Sequence, residues 1–247
     1  TTDSSVDVLA SAIDIDINPG GYVYALPCIA GHVGADAAGV LLAEAPYDRD
    51  EVSLIVDVGT NAELLLGNKQ RVLAASSPTG PALEGAQISS GQRAAPGAIE
   101  RVRVNKETLE PKFKVIGCDL WSDEKGFDEQ TKKSGITGIC GSGIIEVVAE
   151  MCLAGILRSD GKLKQHESDA SKRVFEDGRT FTYVLHEGQP NISVTQNDVR
   201  AIQLAKAALH AGAMLLMEHF GVKKVDRIRL AGAFGAHIDV KYAMVLG

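Results

Sequence analysis

The stretch SLIVDVGTNAELLLGN, residues 53–68, decides the fold. Ser53–Val58 is an almost unbroken apolar run, which suits a strand covered on both faces. Gly59-Thr60-Asn61 breaks it, and a second strand is expected over Ala62–Leu66. Gly67-Asn68-Lys69 turns the chain and Arg71–Ala75 returns, so the pattern is strand, tight Gly-Thr turn, strand, hairpin, strand. The stretch also carries chemistry. Gly lets a backbone approach an anion closely, while Thr and Asn add side-chain donors. Asp57 cannot bind phosphate, but it suits Mg²⁺ held through water, or the orientation of a hydrolytic water. The alternative is a plain hairpin turn with a solvated aspartate.

Working outward, residues 1–20 read as a polar, acidic lead-in ending in the turn signal Asn18-Pro-Gly-Gly21. Tyr22–Leu26 is a short strand, and Gly31–Glu44 a helix of small residues. On the other side, residues 76–99 are rich in Ser, Gly, Pro and Ala. Leu83, Ile88 and Ile99 give that segment apolar anchors, so an ordered loop with a short helix is expected. Two strands follow within 102–116, then a charged loop over 121–133. Gly138–Gly143 opens a helix running to about Leu157, with Ile144, Val147, Val148, Met151 and Ala154 on its apolar face. Residues 158–192 read as a loop plus a hairpin. Thr195-Gln-Asn-Asp198 is a capping-box start with Asp in place of Glu. Its helix runs to His219 or Phe220, where Gly221 stops it. Arg227–Leu230 is a strand, Ala231–Gly235 the loop after it, and the last residues lie inside an element, as in a fragment of a longer protein. Strands mixed with crossover-length helices argue α/β.

Composition narrows the function. The chain has 247 residues, 45% hydrophobic and 23% charged, which are globular proportions. A net charge of −7 argues against a broad nucleic-acid face. No apolar run reaches the roughly 18 residues that span a bilayer. The four cysteines, at 28, 118, 140 and 152, form no C-x-x-C pair. Zinc, thioredoxin and ferredoxin-type readings are therefore unsupported, and free thiols in the cytoplasm are expected. The only two histidines on one predicted helix, His210 and His219, lack ligand spacing. No Walker A, H-E-x-x-H or G-x-S-x-G sequence occurs.

Two further glycine motifs stand out. Gly138-Ile-Cys-Gly-Ser-Gly143 feeds a helix N-terminus and suits an anion or ribose; a simple helix entry capped by Ser142 is the alternative. Cys140 as a nucleophile lacks an identifiable base. Leu230-Ala-Gly-Ala-Phe-Gly235 follows a strand, where Gly lets a purine lie flat on the backbone.

Taken in order, these pieces resemble the second half of the actin-like ATPase (ribonuclease H-like) fold, a mixed sheet with flanking helices, here truncated at both ends. Gly34–Leu42 resembles its first connecting helix, Asp57–Asn61 its second phosphate loop, Leu230–Gly235 its adenosine loop, and Ile238–Leu246 the start of its second connecting helix. Ala233 stands where a second Gly is common. The chain is more closely similar to the C-terminal ATPase domain of reductive activators of corrinoid proteins. Six ordered blocks carry this likeness: LPCIAGHVGADAAG (26–39), IVDVGTNAELLLGN (55–68), SPTGPALEGAQISSGQRAAPGAIE (77–100), GITGICGSGIIEVVAE (135–150), TQNDVRAIQLAKAALHAG (195–212) and LAGAFGAHID (230–239).

The resemblance implies a nucleotide domain over 21–247, with 53–235 its second lobe. It implies ATP or ADP with Mg²⁺ as ligands, and ATP-driven reduction of Co(II) corrinoid to Co(I). The [2Fe–2S] cluster would lie in an N-terminal domain not represented here. A homodimer docking transiently on a corrinoid protein is implied as well. Residue by residue, Asp57 would hold Mg²⁺ through water, and Gly59, Thr60 and Asn61 would line the phosphates. Asp36 and Glu63 would be polar partners in the cleft, with Glu84 a further candidate. Gly141, Ser142 and Gly143, with Gly232, Ala233 and Gly235, would surround the nucleoside. A non-catalytic dimerisation and docking module, and a small-molecule kinase of the same fold, remain open at this point.

Overall fold

A computed structural model describes residues 3–164 and 171–247. The chain divides into two units, residues 1–78 with 209–236 and residues 79–208 with 237–247.

The first unit begins with β1 (Val6–Leu9) and β2 (Tyr22–Ala25), an antiparallel pair, so the polar lead-in contributes a strand. α1 (Ala35–Glu44) starts later than expected: Gly34 is its extended N-cap, and Ala30 and Val33 form a bridge just before it. β3 (Ser53–Val58), β4 (Ala62–Asn68) and β5 (Arg71–Ser77) follow as antiparallel neighbours. β4 runs two residues past the expected end because Gly67 stays in the strand. A Cβ there would sit 2.3 Å from the Arg71 carbonyl oxygen, so only Gly permits the pairing.

The second unit holds β6 (Ala98–Val104), β7 (Pro111–Val115), α2 (Phe127–Thr131), β8 (Gly138–Ile139) and α3 (Gly141–Leu153). β9 (Val174–Asp177), β10 (Thr180–His186) and β11 (Ile192–Thr195) make an antiparallel sheet. α4 (Gln196–Phe220) is followed by β12 (Arg227–Ala231) and α5 (Gly232–Gly235), which belong to the first unit, and α6 (Val240–Leu246), which belongs to the second.

In the first unit the sheet order is β12-β3-β4-β5, with β12 parallel to β3. One face is covered by Val40 and Leu41 of α1, packed on Ile55, Leu65 and Ala231. The other meets α4, where a Cβ on Gly212 would lie 2.6 Å from Leu64 Cδ1. The unbroken apolar run of β3 is thus explained by two covered faces.

In the second unit, residues 79–97 contain no helix. Successive turns run through Pro81, Ala82, Gly85 and Ile88, with Gly85 at φ 89°. A left-handed residue interrupts any helix, while buried Leu83 and Ile88 anchor the path. Asp198 fixes the same segment, accepting from Ser89 N (2.8 Å) and Ser89 Oγ (3.0 Å). Asp198 also completes the expected box: Thr195 N donates to Oδ2 (2.8 Å) and Asp198 N donates to Thr195 Oγ1 (3.2 Å). Gly221, at φ 86°, closes α4 as read.

Candidate functional site

The parallel pair β12 and β3 ends at one level, with Ala231 opposite Asp57. Ligands in α/β sheets collect beyond the carboxyl ends of parallel strands. Here those ends carry the Asp57 carboxylate and the turn into α5. Ala231–Gly235, expected as a loop, winds into this short helix after extended Ala231. Gly232 has φ 79°, and a Cβ on it would lie 2.0 Å from Asp57 Oδ1. A side chain there would be strained by the left-handed φ and would push the carboxylate aside. Gly235 is close-packed too, its would-be Cβ 3.2 Å from the Leu230 carbonyl carbon. Ala233 is exposed and has no positive φ, so its methyl group carries no backbone strain.

Register extends the row sideways: Asp57 is opposite Glu63, and Glu63 is opposite Ser76. Asp57 and Glu63 are half-buried, and Ser76 Oγ donates to Glu63 Oε1 at 3.2 Å. Asp36 lies in the first turn of α1, where its Oδ1 accepts from Ala37 N at 2.8 Å. Burial and then the Asp36 charge raise the proton affinity of Asp57. Glu63 is likewise raised, by burial first and by Asp36 and Asp57 after it, while Ser76 opposes the shift. Among the described residues none of the three carboxylates forms an ion pair. Gly59, Thr60 and Asn61 make the connection between β3 and β4 that borders them.

The other expected residues lie in the second unit. Glu84 is half-buried in the turn segment. Gly141, Ser142 and Gly143 are buried at the start of α3. Gly143 is explained by packing, since a Cβ would lie 2.2 Å from the Ile99 carbonyl oxygen. Ser142 does not cap the helix. Cys140 is the N-cap and makes no side-chain cap bond, its thiol donating to Ile99 O at 3.3 Å.

α3 also carries two carboxylates that sequence reading missed. β8 pairs only the start of β6, which leaves Val102 and Val104 N–H groups without a strand partner on that side. Glu146 Oε2 accepts from Val102 N (2.9 Å) and Glu150 Oε2 from Val104 N (3.1 Å). Glu146, fully buried, also meets Arg101 (2.8 Å) and Arg103 (2.6 Å). Tyr242 of α6 donates to Glu150 Oε1 at 2.6 Å. Their spacing of four on a helix that is otherwise apolar and buried was the available signal. Ser76 was missed because the turn was read around Gly67; with Asn68 opposite Arg71, the register delivers Ser76 to Glu63.

This sheet, with its Asp57 strand end, Gly232 turn and α1 across one face, is part of an actin-like ATPase domain. The model of the family described as the C-terminal domain of RACo, the ASKHA domain, matches residues 51–247, and the chain belongs to that family. It is 36% identical to the corrinoid activation enzyme RamQ of Eubacterium limosum over 245 residues, covering 94% of this chain and 38% of the relative. It is 31% identical to the [Co(II) methylated amine-specific corrinoid protein] reductase of Methanosarcina barkeri, covering 90% and 39% respectively. A solved reductive activator for corrinoid, iron-sulfur protein superposes with a TM-score of 0.78 at 32% identity, over 96% of this chain and 36% of that one. The chain therefore spans well under half the length of these proteins. No helix among the described residues is long and apolar enough to cross a membrane.

Proposed function

We propose that this chain is the nucleotide-binding part of an ATP-dependent reductive activator that returns a corrinoid protein from Co(II) to Co(I). The observation that carries the nucleotide reading is the close fit of Gly232 against Asp57 at the paired ends of β12 and β3. In this reading Gly59, Thr60 and Asn61 line the phosphates, Gly232, Ala233 and Gly235 border the nucleoside, and Asp36 is a polar partner of Asp57. Gly141, Ser142, Gly143 and Glu84 lie in the second unit and carry no part of this proposal, Gly143 being close-packed against Ile99.

Mg²⁺ fits the donor chemistry. Asp57 is a hard oxygen donor with no cation beside it among the described residues, and its charge is disfavoured by burial and then by Asp36. Among the described residues no three His, Cys, Asp or Glu side chains are arranged to enclose a metal. In this proposal the ion is bound mainly by phosphate and water, with a single carboxylate touching its water shell. Bound there, Mg²⁺ would neutralise phosphate charge.

The redox step belongs, in this proposal, to the longer proteins that the relatives exemplify, with an iron–sulfur centre supplying the electron. A cytoplasmic homodimer that docks transiently on its corrinoid partner completes the proposal. The relatives' action on corrinoid proteins supports the partner, and the four free cysteines support a reducing compartment.

Calorimetric titration with Mg-ADP and a non-hydrolysable ATP analogue tests the reading. Saturable binding by the unmodified chain, weakened at least about tenfold by Asp57→Asn, is expected. Equal affinity in that variant would remove Asp57 from the site, and no binding by the unmodified chain would favour the docking module.

A further inference from the structure

We propose that Glu63, aimed by Ser76, orients the water that attacks the terminal phosphate of the bound nucleotide. This deepens the nucleotide reading above and rests on it. The argument begins with an arrangement that gains nothing structurally. Like charges directly opposite on neighbouring strands are unfavourable, yet Asp57 and Glu63 are opposite, and Asp36 acts on both. No cation compensates them among the described residues. Ser76 donates to Glu63 from the neighbouring strand, which fixes one carboxylate oxygen and hence the direction of the group.

The two carboxylates are not equivalent. Asp57 ends β3 and lies against Gly232. Glu63 sits one strand further from β12, on the far side of the Gly59-Thr60-Asn61 turn assigned to the phosphates. An attacking water has hydrogens to donate and needs an acceptor held in one direction. A carboxylate tied to a neighbouring strand by a hydroxyl is such an acceptor. Positioning of this kind supplies much of the catalysis of phosphoryl transfer, where the protein has little covalent chemistry to perform.

The step balances without a further reactant. The water oxygen bonds to the terminal phosphorus as the bond from phosphorus to the bridging oxygen breaks. The diphosphate leaves with that electron pair, and the proton of the water ends on the released inorganic phosphate. Glu63 accepts a hydrogen bond and is unchanged. Ser76 acts through Glu63 and is a positioning residue.

The test compares Mg-ADP binding with and without aluminium fluoride, a mimic of the transferring phosphoryl group, and measures phosphate release from ATP. Glu63→Gln is expected to bind Mg-ADP within about threefold of the unmodified chain. It should lose about tenfold or more of the aluminium-fluoride enhancement and about thirtyfold of phosphate release. Ser76→Ala should show a smaller loss of the same kind, and Ser76→Thr, which keeps the hydroxyl, should restore it. Unfolding temperatures confirm that each variant is folded. Unchanged enhancement and release in Glu63→Gln overturn the proposal, as does an equal loss of Mg-ADP binding, which would make Glu63 a ground-state ligand. An unmodified chain that binds Mg-ADP but shows neither enhancement nor release overturns it while the nucleotide reading stands. Failure to bind Mg-ADP at all overturns the nucleotide reading, and this proposal with it.

Discussion

Two groups of carboxylates, one in each unit, are held in opposite ways. In the second, Glu146 and Glu150 are buried and fully engaged, by Arg101 and Arg103, by two backbone N–H groups and by the Tyr242 hydroxyl. In the first, Asp57, Glu63 and Asp36 crowd one another without a cation, and the proton affinity of Asp57 and Glu63 is raised. A satisfied buried acid holds a fold together, because removing it strands its partners. A group of acids without a cation stores repulsion that protonation or a bound cation relieves, which is how functional sites differ from structural ion pairs.

The contrast breaks most visibly at Glu146. Glu146→Ala leaves Arg101, Arg103 and the Val102 N–H without their acceptor, and about 3 kcal/mol of stability should be lost. Urea unfolding measures it; a loss below 1 kcal/mol would mean that water replaces the carboxylate and that the ion pair is not structural.

Gly232→Ala combines a left-handed φ with contact on Asp57, and about 2 kcal/mol of destabilisation is expected. Mg-ADP binding should fall with it, since the methyl group displaces the carboxylate. A variant of normal stability and affinity would show that the turn relaxes freely.

Tyr242→Phe removes one charge-assisted hydrogen bond, which should cost about 1.5 kcal/mol. Hydrogen exchange should register it as faster opening within 240–246, with the first unit unaffected. Protection that is unchanged would assign the hold on α6 to apolar packing alone.

The smallest effect has the opposite sign. Asp57 and Glu63 bind protons more tightly folded than unfolded. Their favourable contribution is therefore complete in acid and is lost as pH rises through their raised values. Asp57→Asn should consequently unfold at the same temperature as the unmodified chain or a degree or two higher near neutral pH, and its stability should decline less as pH rises above 4. A lower unfolding temperature at neutral pH would show that Asp57 is structural after all.

Much of the site's first unit was legible in the chain. The apolar run, its closing aspartate and the Gly-Thr break define β3 and the turn after it, and β3 begins and ends where read. Asp57 and Gly232 were both identifiable, because a lone acid at a buried strand end and a glycine after another strand are local signals. Glu63 was identifiable only as a residue type. Its partner Ser76 depends on register, and register depends on a turn whose glycine stays inside the strand for lack of room opposite. The spacing of Glu146 and Glu150 was legible but their partners were not, for a similar reason: what they satisfy is the unpaired edge of β6, beside a β8 only two residues long.

Local pattern alone therefore determined the α/β class, the strand-turn-strand core, the capping box at Thr195 and the end of α4 at Gly221, all of which are contests among neighbouring residues for nearby backbone groups. Tertiary structure decided which carboxylates are satisfied, which glycine lies against Asp57 and which hydroxyl aims Glu63. Those depend on groups brought together from distant parts of the chain, and no spacing within a single segment encodes their distance.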